Sequence, residues 1–321
     1  MRPFAWNRLW NRSAAPSQDQ HEVLPPLASS NANACIPSDD GVKLPAELRK
    51  LRPGRWVRDF CFDWCVILAA FTVFATVQSN LLLPLVALVI GARMHALGLL
   101  AHDVTHRLAF KQRRLNDLVG EVFIAWPLFL VLEDGYRPWH FSHHRQLGTE
   151  DDPELSYRAD APYVSGVTWG KVVWYFALDM LGLGIIDLLK FMKAVFPSKR
   201  PQRMIGPVVL WLTFLALTLW LNCLWIFGLW AWSVVTGFWA VFRVRTWTEH
   251  VEVPPCGKET SHRFSAGRLA RFFFFPHNTY CHYEHHKWPQ VPYYNLLKIR
   301  NIDNTKPIRS LTELFPLVAN R

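Results

Sequence analysis

The chain has 321 residues, 51% of them hydrophobic, and 35 Lys+Arg against 25 Asp+Glu give a net charge of +10. No charged residue occurs from Trp64 to Ala92 or from Met204 to Phe242, and both runs exceed the roughly 20 residues that a bilayer core asks of a helix, which excludes an ordinary soluble domain. Six cysteines without a C-x-x-C pair exclude a disulfide framework and a zinc ribbon.

Residues 1–50 are rich in Ser, Ala, Asn, Gln and Pro and read as a mostly disordered tail. Their first twelve, MRPFAWNRLWNR, mix arginine with aromatics as a surface helix would, and lack the apolar stretch of a signal peptide. Residues 51–321 read as one membrane-embedded domain. The first span is expected at about 60–77, the turn at Gln78-Ser79-Asn80, and the second span at about 81–100. Residues 101–203 are mixed and polar. Within them an interfacial helix is expected at about 118–132, because its uncharged part is too short to span and contains Pro127. A second interfacial segment, of one or two helices, is expected at about 171–196, with Asp179, Asp187, Lys190 and Lys193 gathered on one face. Spans three and four are expected at about 204–221 and 223–242, turning near Asn222.

The predicted fold is therefore all-α, with four transmembrane helices in two hairpins and a helical cap. An even number of spans places both termini and the central segment on one side. The two outside turns carry no Lys or Arg, whereas Lys111, Arg113, Arg114, Lys199, Arg200, Arg243 and Arg245 fall on the shared side, which makes it the cytoplasmic one. The positive balance thus reflects topology and an anionic partner or lipid surface, not nucleic acid.

Thirteen histidines are present, and eight lie in three clusters on that side. H-D-V-T-H holds His102 and His106, H-F-S-H-H holds His140, His143 and His144, and H-Y-E-H-H holds His282, His285 and His286. Positions i, i+3 and i+4 share one helical face, so each cluster presents its imidazoles in one direction. Pro138 and Pro276 suit helix starts ahead of the second and third clusters, and Pro289 closes the third. Eight imidazoles are too many for one tetrahedral zinc and suit two metal ions with open positions.

With the surrounding stretches GLLAHDVTHRLAF, YRPWHFSHHRQLGTEDDPE and NTYCHYEHHKWPQVPYYNLL, this pattern resembles the membrane-bound fatty acid desaturase and hydroxylase superfamily over about residues 55–300. The resemblance implies a non-haem centre of two iron ions held by the histidines, with O2 as co-substrate and a lipid or acyl chain as substrate. It implies electrons from a separate ferredoxin, rubredoxin or cytochrome b5-like donor. It also implies a ninth histidine ligand past the fourth span, which falls on His250.

Other candidates surround these nine. Asp103 and Glu284 lie inside clusters and are expected to orient metal-bound rings, since such rings usually give their second N–H to a carboxylate. Glu249 is either such a partner or an exposed carboxylate, and the stretch Glu150–Asp152 either orients ligands or caps a helix. His95 lies one face with His102 but about 10 Å deeper, as a tunnel-lining, ligand-supporting or simply packed group. Arg93 points the other way and is expected to snorkel. If 276–287 is one helix, Asn278 shares the face of His282, whereas His277 turns away, so Asn278 is the water-bridged or supporting candidate. His21 and His262 carry no expected role. Desaturation is the leading reading, with a hydroxylase, acetylenase or carotenoid-type ketolase as alternatives on the same site. A histidine-rich metal transporter is a different class, and the charge-free spans speak against it.

Overall fold

The computed structural model describes residues 42–149, 151–154, 166–251, 253 and 261–317. The predicted tail up to residue 41, with His21, and Glu150 lie outside them.

Helix α1 runs Pro53–Val77. Proline opens it, where no backbone donor is needed, and Gln78 closes it at φ 51° with its N–H bonded to the Phe74 carbonyl. After a 3-10 turn, α2 runs Leu83–Thr105. Both helices outrun the expected spans, α1 at its start and α2 at its end. Asp63 of α1 and Arg93 of α2 form a buried ion pair at 3.0 Å, and Arg93 also donates to the Phe272 carbonyl. Arg93 therefore does not snorkel; it is neutralised inside.

The central segment holds α3 (Arg113–Gly120), continued by a π turn and a 3-10 turn to Leu128, then a π turn at Leu132–Tyr136 leading into α4 (Arg137–Gln146). The helix expected at 118–132 thus ends at Leu128, and a second helical segment begins at Leu132. Phe129 adopts φ 58° after Pro127, and the two segments meet at 89°. The Glu121 carboxylate staples the bend by accepting the N–H groups of Leu132 and Glu133. The segment expected at 171–196 likewise forms two helices, α5 (Trp169–Met180) and α6 (Ile185–Ala194), at 90°. Gly182, at φ 79°, makes the corner. The bend removes the shared face expected of Asp179, Asp187, Lys190 and Lys193. Asp179 instead turns inward.

Helix α7 (Ile205–Trp220) is the third span. The fourth, Leu224–His250, consists of α8 (Leu224–Ser233), a π turn at Val234–Phe238, and α9 (Trp239–His250). Among the described residues, four helices are long and apolar enough to cross a membrane, or up to six if each bent pair is one broken span. The turns of both hairpins fall where expected, and Asn222 sits at φ 53°. Spans one and three are only 17% and 11% buried, whereas spans two and four are 56% buried, so the outer pair faces lipid and the inner pair forms the core. The inner pair meets backbone to backbone. A Cβ on Gly91 would stand 2.1 Å from the Phe238 nitrogen, and one on Gly237 2.1 Å from the Ala87 carbonyl oxygen. Near the far end of the fourth span, Arg243 is buried against Asp179 at 2.6 Å and Asp187 at 3.0 Å, which ties α9 to α5 and α6.

The C-terminal part wraps this core with α10 (Arg268–Phe273), α11 (His282–Lys287) and α12 (Tyr293–Ile299). A two-residue parallel pairing, Phe264–Ser265 (β1) with Arg309–Ser310 (β2), closes it.

Candidate metal centre

Four helices deliver the nine candidate histidines. His102 stands on the last turn of α2 and His106 caps it. His140, His143 and His144 stand on α4, which Pro138 opens as expected. His250 ends α9, and His282, His285 and His286 stand on α11.

The structure gathers all nine into two groups. His102, His106, His140, His144 and His285 form one, and His143, His250, His282 and His286 form the other. Within each group one ring nitrogen per residue lies within 4.8 Å of all the others. Several Nε2 atoms face each other directly: His106–His140 at 2.9 Å, His144–His285 at 3.0 Å, His250–His282 at 2.8 Å and His282–His286 at 2.9 Å. The His144 and His286 rings, 4.4 Å apart, join the two groups. Such crowding of imidazoles suits a central cation. The His102 and His143 Nε2 atoms are buried and make no well-aligned hydrogen bond, which leaves them available to ligate. The donor set therefore fits two metal ions. Burial, followed by the charge of neighbouring rings, pushes the pKa values of His282, His285 and His286 well below the ordinary imidazole value and keeps them in the neutral, ligating form.

Carboxylates hold the backs of two rings. Asp152 Oδ1 lies 2.8 Å from His143 Nδ1 and also accepts the N–H of Glu154, while its Oδ2 accepts that of Gly148. Orienting and capping, posed as alternatives for this stretch, are thus combined in one residue. Glu249 is buried, 3.2 Å from His282 Nδ1, and is itself held by Arg245 at 2.7 Å. Tyr136 stacks on His140 with centroids 5.4 Å apart.

Three other expectations place differently. Glu284 faces away from both groups and is sandwiched between Arg263 at 2.7 Å and Arg300 at 2.9 Å. Helical spacing is the cause: position 284 falls about 200° from His282, opposite the ligating face. Asp103 accepts the Tyr293 N–H at 3.3 Å, and neither metal group supplies its partner. Asn278 donates to the Tyr293 carbonyl at 3.1 Å and does not share the face of His282. The one-helix premise fails there, because His277 and Asn278 both sit at positive φ (52° and 57°) and α11 starts only at His282. His277 turns away, as expected, and binds Asp63 at 2.7 Å. His262 is buried and bonded to the Val251 carbonyl.

His95 lines a narrow cavity (≈ 40 Å³) that is otherwise apolar apart from His102, Tyr136 and Arg245, with Leu99, Ile124 and Phe242 among its walls. A second small cavity continues from His102 and Arg245 to His282, His285 and Tyr293. Arg245 was not a candidate from sequence, although a cation this close to the end of a span is the available signal. Glu154, eleven residues after His143, was also missed; it reaches His143 Nε2 at 2.9 Å.

Spanning helices with two facing clusters of buried imidazole define an integral membrane protein built to hold metal beside an apolar cavity. The fatty acid desaturase family profile matches residues 79–309, and the chain belongs to that family and is an oxidoreductase. It is 28% identical to a dihydrorhizobitoxine desaturase of Bradyrhizobium elkanii, over 76% of this chain and 74% of that one. It is 22% identical to an sn-1 acyl-lipid omega-3 desaturase (ferredoxin) of Nostoc, over 81% of each chain. A zeaxanthin 4-ketolase of Chlamydomonas reinhardtii is 29% identical over 63% of this chain and 40% of its own.

Proposed function

We propose that the protein desaturates an acyl chain or related lipid in an O2-dependent reaction at a pair of iron ions, with electrons from a separate redox protein. The observation that carries this is the contact of the narrow, largely apolar cavity with the five-histidine group through His102. Bound iron would supply O2 activation for removing hydrogen from an unactivated methylene.

The chain's own residues do the rest. His102, His106, His140, His144 and His285 would hold one ion, and His143, His250, His282 and His286 the other. Asp152 and Glu249 fix the tautomers of His143 and His282, so that Nε2 is left to ligate. Leu99, Ile124, Phe238 and Phe242 hold a hydrocarbon segment against His102 and exclude water. The larger groove of ≈ 490 Å³ between α1, α7 and α8 shares no residue with either group, and lipid fills it.

The histidine end faces the cytoplasm, because exposed Lys111, Arg113, Arg114, Lys199 and Arg200 lie there. The same basic surface suits an acidic donor, and the ferredoxin named for the Nostoc relative supports that class. The ketolase relative favours a second reading on the same site, in which the product gains oxygen. Expression in a host of known lipid profile, followed by mass spectrometry, separates the two. Desaturation removes two hydrogens and ketolation adds oxygen. Unchanged lipids, with iron-loaded protein and a reduced donor also inactive on host lipid extract, sink both readings.

A further inference from the structure

The two histidine groups are unequal, five against four. Glu154 lies at the edge of the smaller one. Its Oε2 stands 2.9 Å from His143 Nε2 and 4.0 Å from His250 Nε2. A first-row divalent ion holds imidazole nitrogen and carboxylate oxygen at about 2.0–2.2 Å, so two such ligands at a right angle stand about 3.0 Å apart and two opposed ligands about 4.2 Å. Glu154 therefore has the spacing of a ligand at a right angle to His143 and nearly opposite His250.

Hydrogen-bond geometry supports this over a simple ion pair. His143 Nε2 is buried and makes no well-aligned hydrogen bond, although the Glu154 oxygen is only 2.9 Å away. The oxygen thus lies to the side of the direction in which an N–H would point, as two ligands of one ion do. The other ring nitrogen of His143 is engaged by Asp152, whose Oδ1 also accepts the Glu154 N–H, so one carboxylate positions both ligands.

We infer that Glu154 is the fifth protein ligand of the four-histidine site, giving five ligands to each metal. The inference rests on the two-metal reading above. It makes the two ions chemically distinct: one bound by neutral imidazoles alone, the other carrying an anionic oxygen that favours its higher oxidation state.

The test uses full-length protein, purified in detergent and loaded anaerobically with 57Fe(II), read by Mössbauer spectroscopy and iron content. Wild type is expected to give two quadrupole doublets of equal area. The isosteric Glu154→Gln is expected to shift one doublet and leave the other in place. Glu154→Ala is expected to lose up to half of the bound iron, all from one doublet. Monodisperse elution of Glu154→Gln shows that it has folded. If both variants keep the iron content and both doublets of wild type, the assignment is overturned, and Glu154 merely pairs with His143 in the metal-free protein. A wild type that binds no iron pair overturns the diiron reading itself, which is a separate failure.

Discussion

His143 lies between two carboxylates, bonded to Asp152 at Nδ1 and with Glu154 2.9 Å to the side of Nε2. The carboxylate at Nδ1 sets the tautomer. Asp152→Asn is therefore expected to lower metal affinity by about 10–100-fold without unfolding the protein, as titration with Fe(II) or Co(II) would show. His143→Ala removes a ligand outright and is expected to abolish product formation; retained turnover would break the ligand assignment. Acid acts on the rings of the third cluster. Free imidazole protonates near pH 6.5, but burial holds His282, His285 and His286 neutral to lower pH. An opened or unfolded form thus takes up more protons below about pH 6.5, so stability and metal retention fall as pH drops through that point and are full above it. Iron remaining after dialysis at a series of pH values measures this. At this scale the histidines were legible because eight of them repeat a helical spacing. Glu249 was legible only as one of two alternatives, a ring partner or an exposed carboxylate, and Glu154 and Arg245 were not legible, because nothing in their local sequence says that folding brings them to the site.

Helix α11 has only six residues, too few to stand without tertiary support. Its support is Glu284 between Arg263 and Arg300, and Arg300 in turn donates to the Tyr280 and Phe264 carbonyls. Glu284→Gln would leave two buried guanidinium groups short of a charge and is expected to cost about 3–5 kcal/mol, read as a lower thermal midpoint with loss of metal. Position inside the cluster suggested that Glu284 supports a metal-bound ring, although helical periodicity puts it opposite the ligands. Periodicity itself misled at Asn278. It gives the face of a helix, not the residue where the helix begins, and the two left-handed residues before His282 carry no glycine to betray them. The bend at Phe129 escaped because apolar composition runs straight through it, whereas at Gly182 the alternative of two helices had been left open.

Over the whole molecule, the hairpin pattern and the turns followed from two charge-free runs. What those runs could not show was which spans lie inside. Burial of the second and fourth spans depends on Gly91 and Gly237, whose backbone contact no hydropathy average registers. Gly91→Ala would drive a methyl group into the Phe238 backbone and is expected to destabilise the fold by about 1–3 kcal/mol, measurable as detergent-induced loss of monodispersity. The contact also acts as a caliper. His102 and His250 ride on the two helices it clamps together, so the distance between the two metal groups is gauged by backbone against backbone. The walls of the neighbouring cavity are side chains such as Leu99, Ile124 and Phe242, which take no part in that gauge. A lineage is then free to repaint the cavity for a new substrate while its oxidising machinery stays in register.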